Sequence, residues 1–236
     1  MSLPVVILAG GLATRLRPVT EDLPKSLVDV AGQPFAVHQI ELLRRHGLTD
    51  ITFLVSHRGE MIRATLGDGV RWGVRLRYIF DGRRPLGTAG AISRALPELN
   101  DPFFVLYGDG YLECDYTAIA HAFLVSGKRG LVTIYRNEDR FDRSNVLYAG
   151  GRIVRYDKQR RTPEMRHIDW GLGAFRKSAF LGRAEDEVFD LAAVYEDLLA
   201  HDDLAGFEVP NRLYEIGSAE GLEETRAYLA AKGTSA

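Results

Sequence analysis

Short, fully apolar runs alternate with amphipathic stretches along the chain, and this alternation limits the fold more than any other feature of the sequence. Residues 4–9 (PVVILA), 51–56 (ITFLVS) and 103–107 (FFVLY) have the length and composition of buried strands. Residues 35–46 and 116–125 instead carry apolar side chains at helical spacing. Strands that alternate with helices predict a mainly parallel sheet with helices on both faces. The right-handed crossover rule then favours an α/β fold of the Rossmann-like, doubly wound type, with a mainly parallel mixed sheet.

The same patterns predict further elements in the rest of the chain. Strands are expected at 74–80, 131–135, 145–148 and 153–156, and helices at 60–66, 88–96, 190–200 and 218–231. Thr88 is expected to cap its own helix, because its side-chain oxygen can accept a hydrogen bond from a free N–H group, and Pro97 follows the end of that helix.

The composition of the sequence changes near residue 136. Residues 136–143 and 157–167 are charged and poor in hydrophobic side chains. We expect the segment 136–180 to form strands and loops laid over the sheet. They would lie within one domain spanning 1–236, because this length is ordinary for one α/β domain.

Composition and charge exclude several classes of protein. Hydrophobic residues make up 46% of the chain and charged residues 26%, as in ordinary soluble domains. A net charge of −2 argues against a general nucleic-acid binder but permits a local basic site for a phosphorylated small molecule. The single cysteine, Cys114, cannot form an internal disulfide or a multi-cysteine zinc site. No stretch approaches the ~20 apolar residues of a membrane span, so a cytoplasmic protein without a membrane partner is expected.

The segment 8–18 (LAGGLATRLRP) predicts a polyphosphate site. Its two glycines let the backbone turn sharply at the end of the first strand and approach a ligand closely. The N–H groups of such a turn can bind phosphate oxygens, and Arg15, Arg17 and Lys25 add positive charge nearby. Taken singly, the glycines could form a simple turn and each arginine could be a solvated surface charge. Together they lie at the strand edge where open α/β sheets bind ligands.

A carboxylate closes the apolar strand at 103–107, where Asp109 follows in the sequence FFVLYGD. An acidic side chain at the end of a strand commonly faces a site, whereas one inside the strand would be costly to bury. The alternative is that Asp109 only caps a turn.

Six segments, in order, resemble the sugar-nucleotide pyrophosphorylases, the nucleotidyltransferases that make NDP-sugars. Residues 8–18 resemble the family pattern L-A-G-G-x-G-T-R-L-x-P, which a P-K dipeptide follows, but Ala13 stands where glycine is usual. The other matching segments are 85–91 (PLGTAGA), 107–110 (YGDG), 156–158 (YDK), 170–173 (WGLG) and 213–218 (LYEIGS). The last of these matches W-x-D-[IV]-G-T, with Glu215 where the family usually has aspartate. The resemblance implies a fold of the nucleotide-diphospho-sugar transferase type.

The resemblance also implies roles for individual residues. The implied catalytic residues are Arg15, Lys25 and Asp109. The implied nucleotide-binding residues are Leu8, Ala9, Gly10, Gly11, Thr14, Arg15, Pro85, Gly87 and Thr88. The implied sugar-phosphate-binding residues are Asp109, Asn145, Lys158, Asp169, Trp170 and Gly171. Mg²⁺ is the implied cofactor, held by Asp109 and Glu215, since two carboxylates plus substrate phosphates are a usual way to hold this ion.

The implied reaction joins a nucleoside triphosphate and a sugar 1-phosphate into an NDP-sugar, with release of pyrophosphate. Arg15 would hold the leaving phosphates, Lys25 the α-phosphate side and Lys158 the sugar phosphate. GTP with a heptose or mannose 1-phosphate is favoured, and a UTP- or dTTP-dependent hexose enzyme is the alternative. Small-molecule substrates are thus the expected partners, and a homo-oligomer stays open because family members often form dimers or tetramers.

Three other classes of protein fit the sequence less well than this function does. A glycosyltransferase of the GT-A type normally shows D-x-D, but Gly110 and Tyr111 follow Asp109 here. A non-catalytic regulatory homologue would be expected to lose Arg15, Lys25 or Asp109, and all three are present. A nicotinamide dehydrogenase is disfavoured by the absence of G-x-G-x-x-G.

Overall fold

The computed structural model describes residues 2–11, 14–16, 19–56, 58–82, 84–183 and 187–233. The predicted charge at Arg17 and the family departure at Ala13 lie outside these residues. The chain divides into two compact units. The first unit comprises Val5–Pro85, Leu106–Glu113 and Leu213–Ala236, and the second comprises Met1–Pro4, Leu86–Val105 and Cys114–Arg212.

Thirteen strands and six α-helices make up the regular structure of the described residues. The strands are β1 (Val5–Leu8), β2 (Asp29–Val30), β3 (Gln33–Pro34), β4 (Asp50–Val55), β5 (Arg75–Phe80), β6 (Phe103–Tyr107), β7 (Gly110–Leu112), β8 (Gly130–Arg136), β9 (Val146–Ala149), β10 (Arg152–Tyr156), β11 (His167–Phe175), β12 (Leu204–Glu208) and β13 (Leu213–Glu215). The helices are α1 (Phe35–Arg45), α2 (Gly59–Leu66), α3 (Gly87–Ala95), α4 (Tyr116–Ser126), α5 (Leu191–Ala200) and α6 (Ala219–Gly233). Among the described residues, none of these helices is long and apolar enough to cross a membrane.

In the first unit, β1, β4 and β5 form a parallel sheet, as the apolar runs predict. Ile7 is paired with Phe53, and Phe53 in turn with Tyr78. The strand order continues from β1 to β6, whose end belongs to this unit. β1 and β4 are buried along most of their length, as are strands of a parallel sheet that is covered on both faces, whereas β5 is only partly buried. The carboxyl ends of β1, β4 and β5 therefore come to one edge.

The second unit carries the antiparallel part of the sheet. β11 pairs with β8 and β9, β9 pairs with β10, and β12 lies parallel to β8. The expectation that segment 136–180 lies over the sheet is wrong, because β9, β10 and β11 are themselves paired strands in it. β10 is an edge strand, and both β9 and β10 are only partly buried, whereas most residues of β11 are buried. Phe103, Phe175 and Phe180 pack together in the core of this unit.

Helices α3 and α5 cap each other in the second unit. The Thr88 hydroxyl accepts a 2.8 Å hydrogen bond from the N–H of Leu191, and the N–H of Thr88 donates to Asp190 Oδ1 at 3.1 Å. The prediction that Thr88 caps its own helix is wrong, because α3 begins one residue earlier, at Gly87. The Thr88 hydroxyl instead accepts a hydrogen bond from the first turn of α5, where backbone N–H groups lack partners within the helix.

Candidate functional site

The glycine turn of the first unit lies against the ends of two neighbouring strands. Ala9 N donates to Leu54 O at 2.8 Å, which keeps the chain beside β4 after β1 has ended. A Cβ atom at Gly10 would lie 3.2 Å from both Asp81 Oδ2 and Ser56 Cβ, so this close approach favours glycine. Ser56 follows β4 and the buried Asp81 follows β5, and our sequence analysis missed both. Each is a polar residue that directly follows the last residue of a strand, which is the signal that could have identified them.

Arg15 is presented to solvent by a buried neighbour. It lies in a single helical turn, Thr14–Leu16, whose Leu16 is buried in the core of the first unit with Val28 and Phe35. The Arg15 side chain is exposed. This anchoring leaves the guanidinium open to an anionic ligand.

Lys25 and Asp109, two of the predicted catalytic residues, form an ion pair. Lys25 Nζ lies 3.0 Å from Asp109 Oδ2. Lys25 begins the short helical turn Lys25–Leu27, whose other two side chains are buried and fix it in place. The lysine and aspartate side chains are 17% and 32% exposed, so the pair is shielded from bulk water and still open to a ligand.

The backbone brings Glu215 next to Asp109. β13 and β7 are antiparallel, with Glu215 opposite Gly110, and Ile216 N donates to Asp109 O at 2.9 Å. A Cβ atom at Gly217 would lie 3.2 Å from Asp109 Oδ2 and closer still to Glu215 Oε2. Both carboxylates therefore reach the same small region beside Gly217.

The chemistry of these two carboxylates fits the predicted magnesium site. Carboxylate oxygen is the ligand that Mg²⁺ takes from proteins, usually one or two groups completed by substrate phosphates and water. The described residues contain no cluster of three or more acidic, histidine or cysteine side chains that could hold a metal ion. Asp109 and Glu215 are two carboxylates, which is the number that proteins usually contribute to such an ion. Glu215 already accepts hydrogen bonds from Ser218 Oγ and Gly217 N, but each carboxylate oxygen has a second lone pair.

In the second unit, Asp169 organises the predicted sugar-phosphate residues. Its Oδ2 accepts a 2.9 Å hydrogen bond from the Tyr156 hydroxyl and lies 3.5 Å from Lys158 Nζ. Its backbone N–H donates to Asn145 Oδ1 at 3.1 Å, and its Oδ1 accepts from Gly171 N at 3.3 Å. The Asp169 side chain is only 4% exposed, whereas that of Lys158 is 45% exposed. The structure therefore brings these residues of the second unit together, with the Lys158 side chain partly open to solvent.

The loop that carries Lys158 is fixed by Asp157. The backbone N–H of Arg160, with the Arg155 guanidinium and the N–H of Gln159, lowers the pKa of Asp157 to about 2. These donors stabilise the charged carboxylate over its neutral form. Asp157 consequently stays ionised and holds the turn that follows β10.

The contacts of Trp170 and the backbone conformation of Gly171 determine the local structure of β11. The Trp170 ring stacks on Tyr135 at a centroid distance of 4.6 Å, and its Nε1 donates to Asn211 O at 2.9 Å. Gly171 has a φ of +84°, which other residues rarely adopt, and the pairing of β11 with β8 shifts register between Asp169 and Gly173. Contact of Trp170 with a sugar stays a prediction, since its indole is buried in this packing.

The segment 85–91 packs closely on the chain before α5. Gly87 has a φ of +77°, and a Cβ atom there would collide with the backbone oxygen of Phe189. A Cβ atom at Gly90 would collide with the backbone oxygen of Glu187. These glycines are thus required for packing within the second unit. The nucleotide contacts expected of Pro85, Gly87 and Thr88 stay predictions.

Comparisons with known proteins agree with this description of the fold. A family model described as "Nucleotidyl transferase" matches residues 4–144. Mannose-1-phosphate guanyltransferase beta-B of Xenopus laevis is 32% identical over 215 residues, which cover 86% of this chain and 59% of that protein. The chain therefore spans less than two thirds of the length of this relative.

Two solved structures share the fold over nearly the whole chain. A putative glucose-1-phosphate thymidylyltransferase from Bacillus anthracis has a TM-score of 0.86 and 20% identity, covering 97% of this chain and 96% of its own. HddC from Yersinia pseudotuberculosis, solved in complex with GMP-PN, has a TM-score of 0.78 and 25% identity, covering 96% and 99%. The predicted Rossmann-like fold with a mixed sheet is confirmed.

Proposed function

This chain belongs to the nucleotidyl transferase family, and we propose that it transfers a nucleotidyl group from a nucleoside triphosphate to a sugar 1-phosphate. The products would be an NDP-sugar and pyrophosphate. The observation that carries this proposal is the cluster of Lys25, Asp109 and Glu215 in the unit that also holds the glycine turn. A cation and two carboxylates at the carboxyl ends of strands are the groups that phosphoryl chemistry needs.

The proposed reaction is an in-line displacement at the α-phosphorus. An oxygen of the sugar 1-phosphate forms a new bond to the α-phosphorus, and the bond from that phosphorus to the α,β-bridging oxygen breaks. The bridging oxygen leaves with the electron pair, as part of pyrophosphate. The attacking phosphate is already anionic near neutral pH, so no general base is required. Positioning and charge neutralisation then supply the catalysis.

The first unit would bind the triphosphate. The exposed guanidinium of Arg15 and the N–H groups of the glycine turn at Gly10 and Gly11 suit the β- and γ-phosphates. Lys25 has three N–H donors and directs one toward Asp109, so within the described part of the chain two are available for phosphate oxygens. The ion pair thus orients the ammonium while keeping most of its donors available.

Asp109 and Glu215 would hold Mg²⁺. When bound there, the ion would neutralise negative charge on the phosphate oxygens. Asp109 directly precedes β7 and Glu215 ends β13, so the pairing of these two strands and the hydrogen bond from Ile216 N to Asp109 O set the separation of the two side chains.

The second unit would bind the sugar phosphate. The half-exposed ammonium of Lys158 is held beside the buried Asp169, which Tyr156 and Asn145 fix in turn. We propose that both units act as one catalytic domain spanning 1–236, in the cytoplasm. GTP with a mannose or heptose 1-phosphate is the favoured substrate pair, supported by the guanyltransferase relative. UTP or dTTP with a hexose 1-phosphate is the alternative that the assay below distinguishes.

Pyrophosphate release tests the proposal directly. The protein is incubated with Mg²⁺, each of the common nucleoside triphosphates and a panel of hexose and heptose 1-phosphates. Release that requires one particular pair is the expected result, and it identifies both substrates. We expect Asp109→Ala to abolish this release and to keep the fold, whereas Asp197→Ala, at an exposed position on α5, keeps full activity. A folded Asp109→Ala protein with near-normal turnover would refute the proposed site, and nucleotide binding without turnover would favour a regulatory homologue.

A further inference from the structure

We propose that Gln39, on α1, is a positioning residue that holds the backbone on both sides of Asp109. The inference rests on the proposed function, because it assigns Asp109 the same role. Gln39 is fully buried and lies in the first unit with Asp109. It is far from Asp109 in sequence and is joined to the Asp109 loop by two hydrogen bonds.

The two hydrogen bonds bracket the carboxylate residue. Gln39 Nε2 donates to Tyr107 O at 3.0 Å and to Gly110 O at 2.7 Å. Tyr107 ends β6 and Gly110 begins β7, so only Gly108 and Asp109 lie between the two anchored carbonyl groups. One amide nitrogen carries two hydrogens, and each carbonyl group receives one. The amide orientation is fixed as well, because the side-chain oxygen could not donate to either carbonyl.

Core packing alone does not explain a glutamine at this position. Phe35, Ile40 and Leu43 share the buried side of α1, where an apolar side chain would be the ordinary choice. Gln39 Oε1 is also buried and receives no hydrogen bond from any residue that the structure describes. A buried amide with an unsatisfied oxygen is costly, so the glutamine is best explained by what its nitrogen does.

The anchored loop determines the direction of the Asp109 carboxylate. This carboxylate meets Lys25 at 3.0 Å, and the backbone oxygen of the same residue accepts from Ile216 N, beside Glu215. A shift of this loop would move the Asp109 carboxylate relative to both Lys25 and Glu215. Misplacement by about 1 Å can cost on the order of 100-fold in rate. Gln39 itself touches no substrate, so its effect passes entirely through Asp109.

Gln39→Met tests this inference, because methionine keeps the length of the side chain and removes both donors. Thr133→Val is the matched control. Thr133 is also fully buried and donates one hydrogen bond to a backbone oxygen, Leu172 O at 2.8 Å, but it lies in the second unit. We expect kcat to fall 10- to 100-fold in Gln39→Met, with the KM for sugar 1-phosphate changed less than threefold. Thr133→Val should lose stability and keep kcat within twofold.

A spectroscopic readout separates this inference from the proposed function. In the substrate-free protein, the side-chain carboxyl ¹³C resonance of Asp109 should shift in Gln39→Met and stay unchanged in Thr133→Val. This measurement stands even if no substrate pair is turned over, in which case only the proposed function fails. If Gln39→Met does not fold, Gln39→Asn keeps the amide but shortens its reach, and the same shift is expected. An unchanged resonance, or kcat within twofold of the wild type in a folded variant, overturns the assignment.

Discussion

Gly108→Ala should destabilise the protein strongly, because Gly108, directly after β6, lies against the backbone at the end of β1. Gly108 N donates to Leu8 O at 3.0 Å. A Cβ atom on residue 108 would lie 3.1 Å from Leu8 C and 3.2 Å from Ala9 Cα, and well inside 3.0 Å of Leu8 O. All three neighbours are backbone atoms, which cannot rotate away as a side chain could. The two chain segments would have to separate.

The expected loss of stability is the sum of two costs, that of overpacking the site and that of losing the hydrogen bond to Leu8. Overpacking a closely packed site costs about 1–3 kcal/mol, and losing the hydrogen bond costs about 0.5–1.5 kcal/mol more. We therefore expect a loss of roughly 2–4 kcal/mol in the free energy of unfolding. For a chain of this length, each kcal/mol lowers Tm by about 2–4 °C, so Tm should fall by roughly 5–15 °C.

Thermal unfolding followed by circular dichroism measures this change, and Gly11→Ala is the control. A Cβ atom at Gly11 has no described heavy atom within 4 Å, so its Tm should stay near that of the wild type. Turnover by Gly108→Ala should also fall, because the separated segments displace Asp109 from Lys25. A Gly108→Ala protein that melts within 2 °C of the wild type would show that the close approach has been read incorrectly.

Two further predictions concern the second unit. Lys158→Ala should raise the KM for sugar 1-phosphate more than the KM for nucleotide, and the reverse pattern in steady-state kinetics would place this lysine in the other subsite. Asp157 should titrate with a pKa of about 2, against an ordinary value of 3.8, because the N–H of Arg160 and the Arg155 side chain favour its charged form. Since the folded pKa is depressed, the stabilisation is present above pH ~4 and is lost as the pH falls toward 2. Carboxyl ¹³C titration by NMR checks this value, and a midpoint near 4 would contradict it.

Strands β1 and β4 of the first unit were predictable because nearly all of their residues are buried. A run such as PVVILA contains only apolar residues, which is the pattern of a fully buried strand. β1 begins and ends within one residue of the predicted bounds. β12 (LAGFE) was missed, because it is half-buried and its partner, β8, lies about 70 residues earlier in the chain. The local sequence pattern does not indicate which strands pair when they are so far apart in the chain. The same reason explains why β9 and β10 were expected over the sheet and not in it.

The charged residues of the candidate site were predictable because they follow apolar strands or stand in recognisable motifs. Lys25 and Asp109 were both named from the sequence, but their ion pair was not predicted, because they are 84 residues apart in the chain. Gln39 was missed because a polar residue in an amphipathic helix is usually assigned to solvent. A signal was present, since Gln39 is four residues after Phe35 and four before Leu43, on the apolar side of α1. A polar residue on that side is evidence for a buried hydrogen bond.

Glu215 shows how a departure from the family pattern can be accommodated. Glutamate is one methylene longer than the usual aspartate, so its carboxylate reaches further past the strand end. Here it turns back along its own chain, and Cβ atoms at Gly217 or Gly221 would collide with its carboxylate. The backbone of Glu215 is held separately, since Thr225 Oγ1 donates to its carbonyl oxygen at 2.8 Å. The two glycines thus provide the volume that the extra methylene needs, and the negative charge stays beside Asp109 as the proposed chemistry requires.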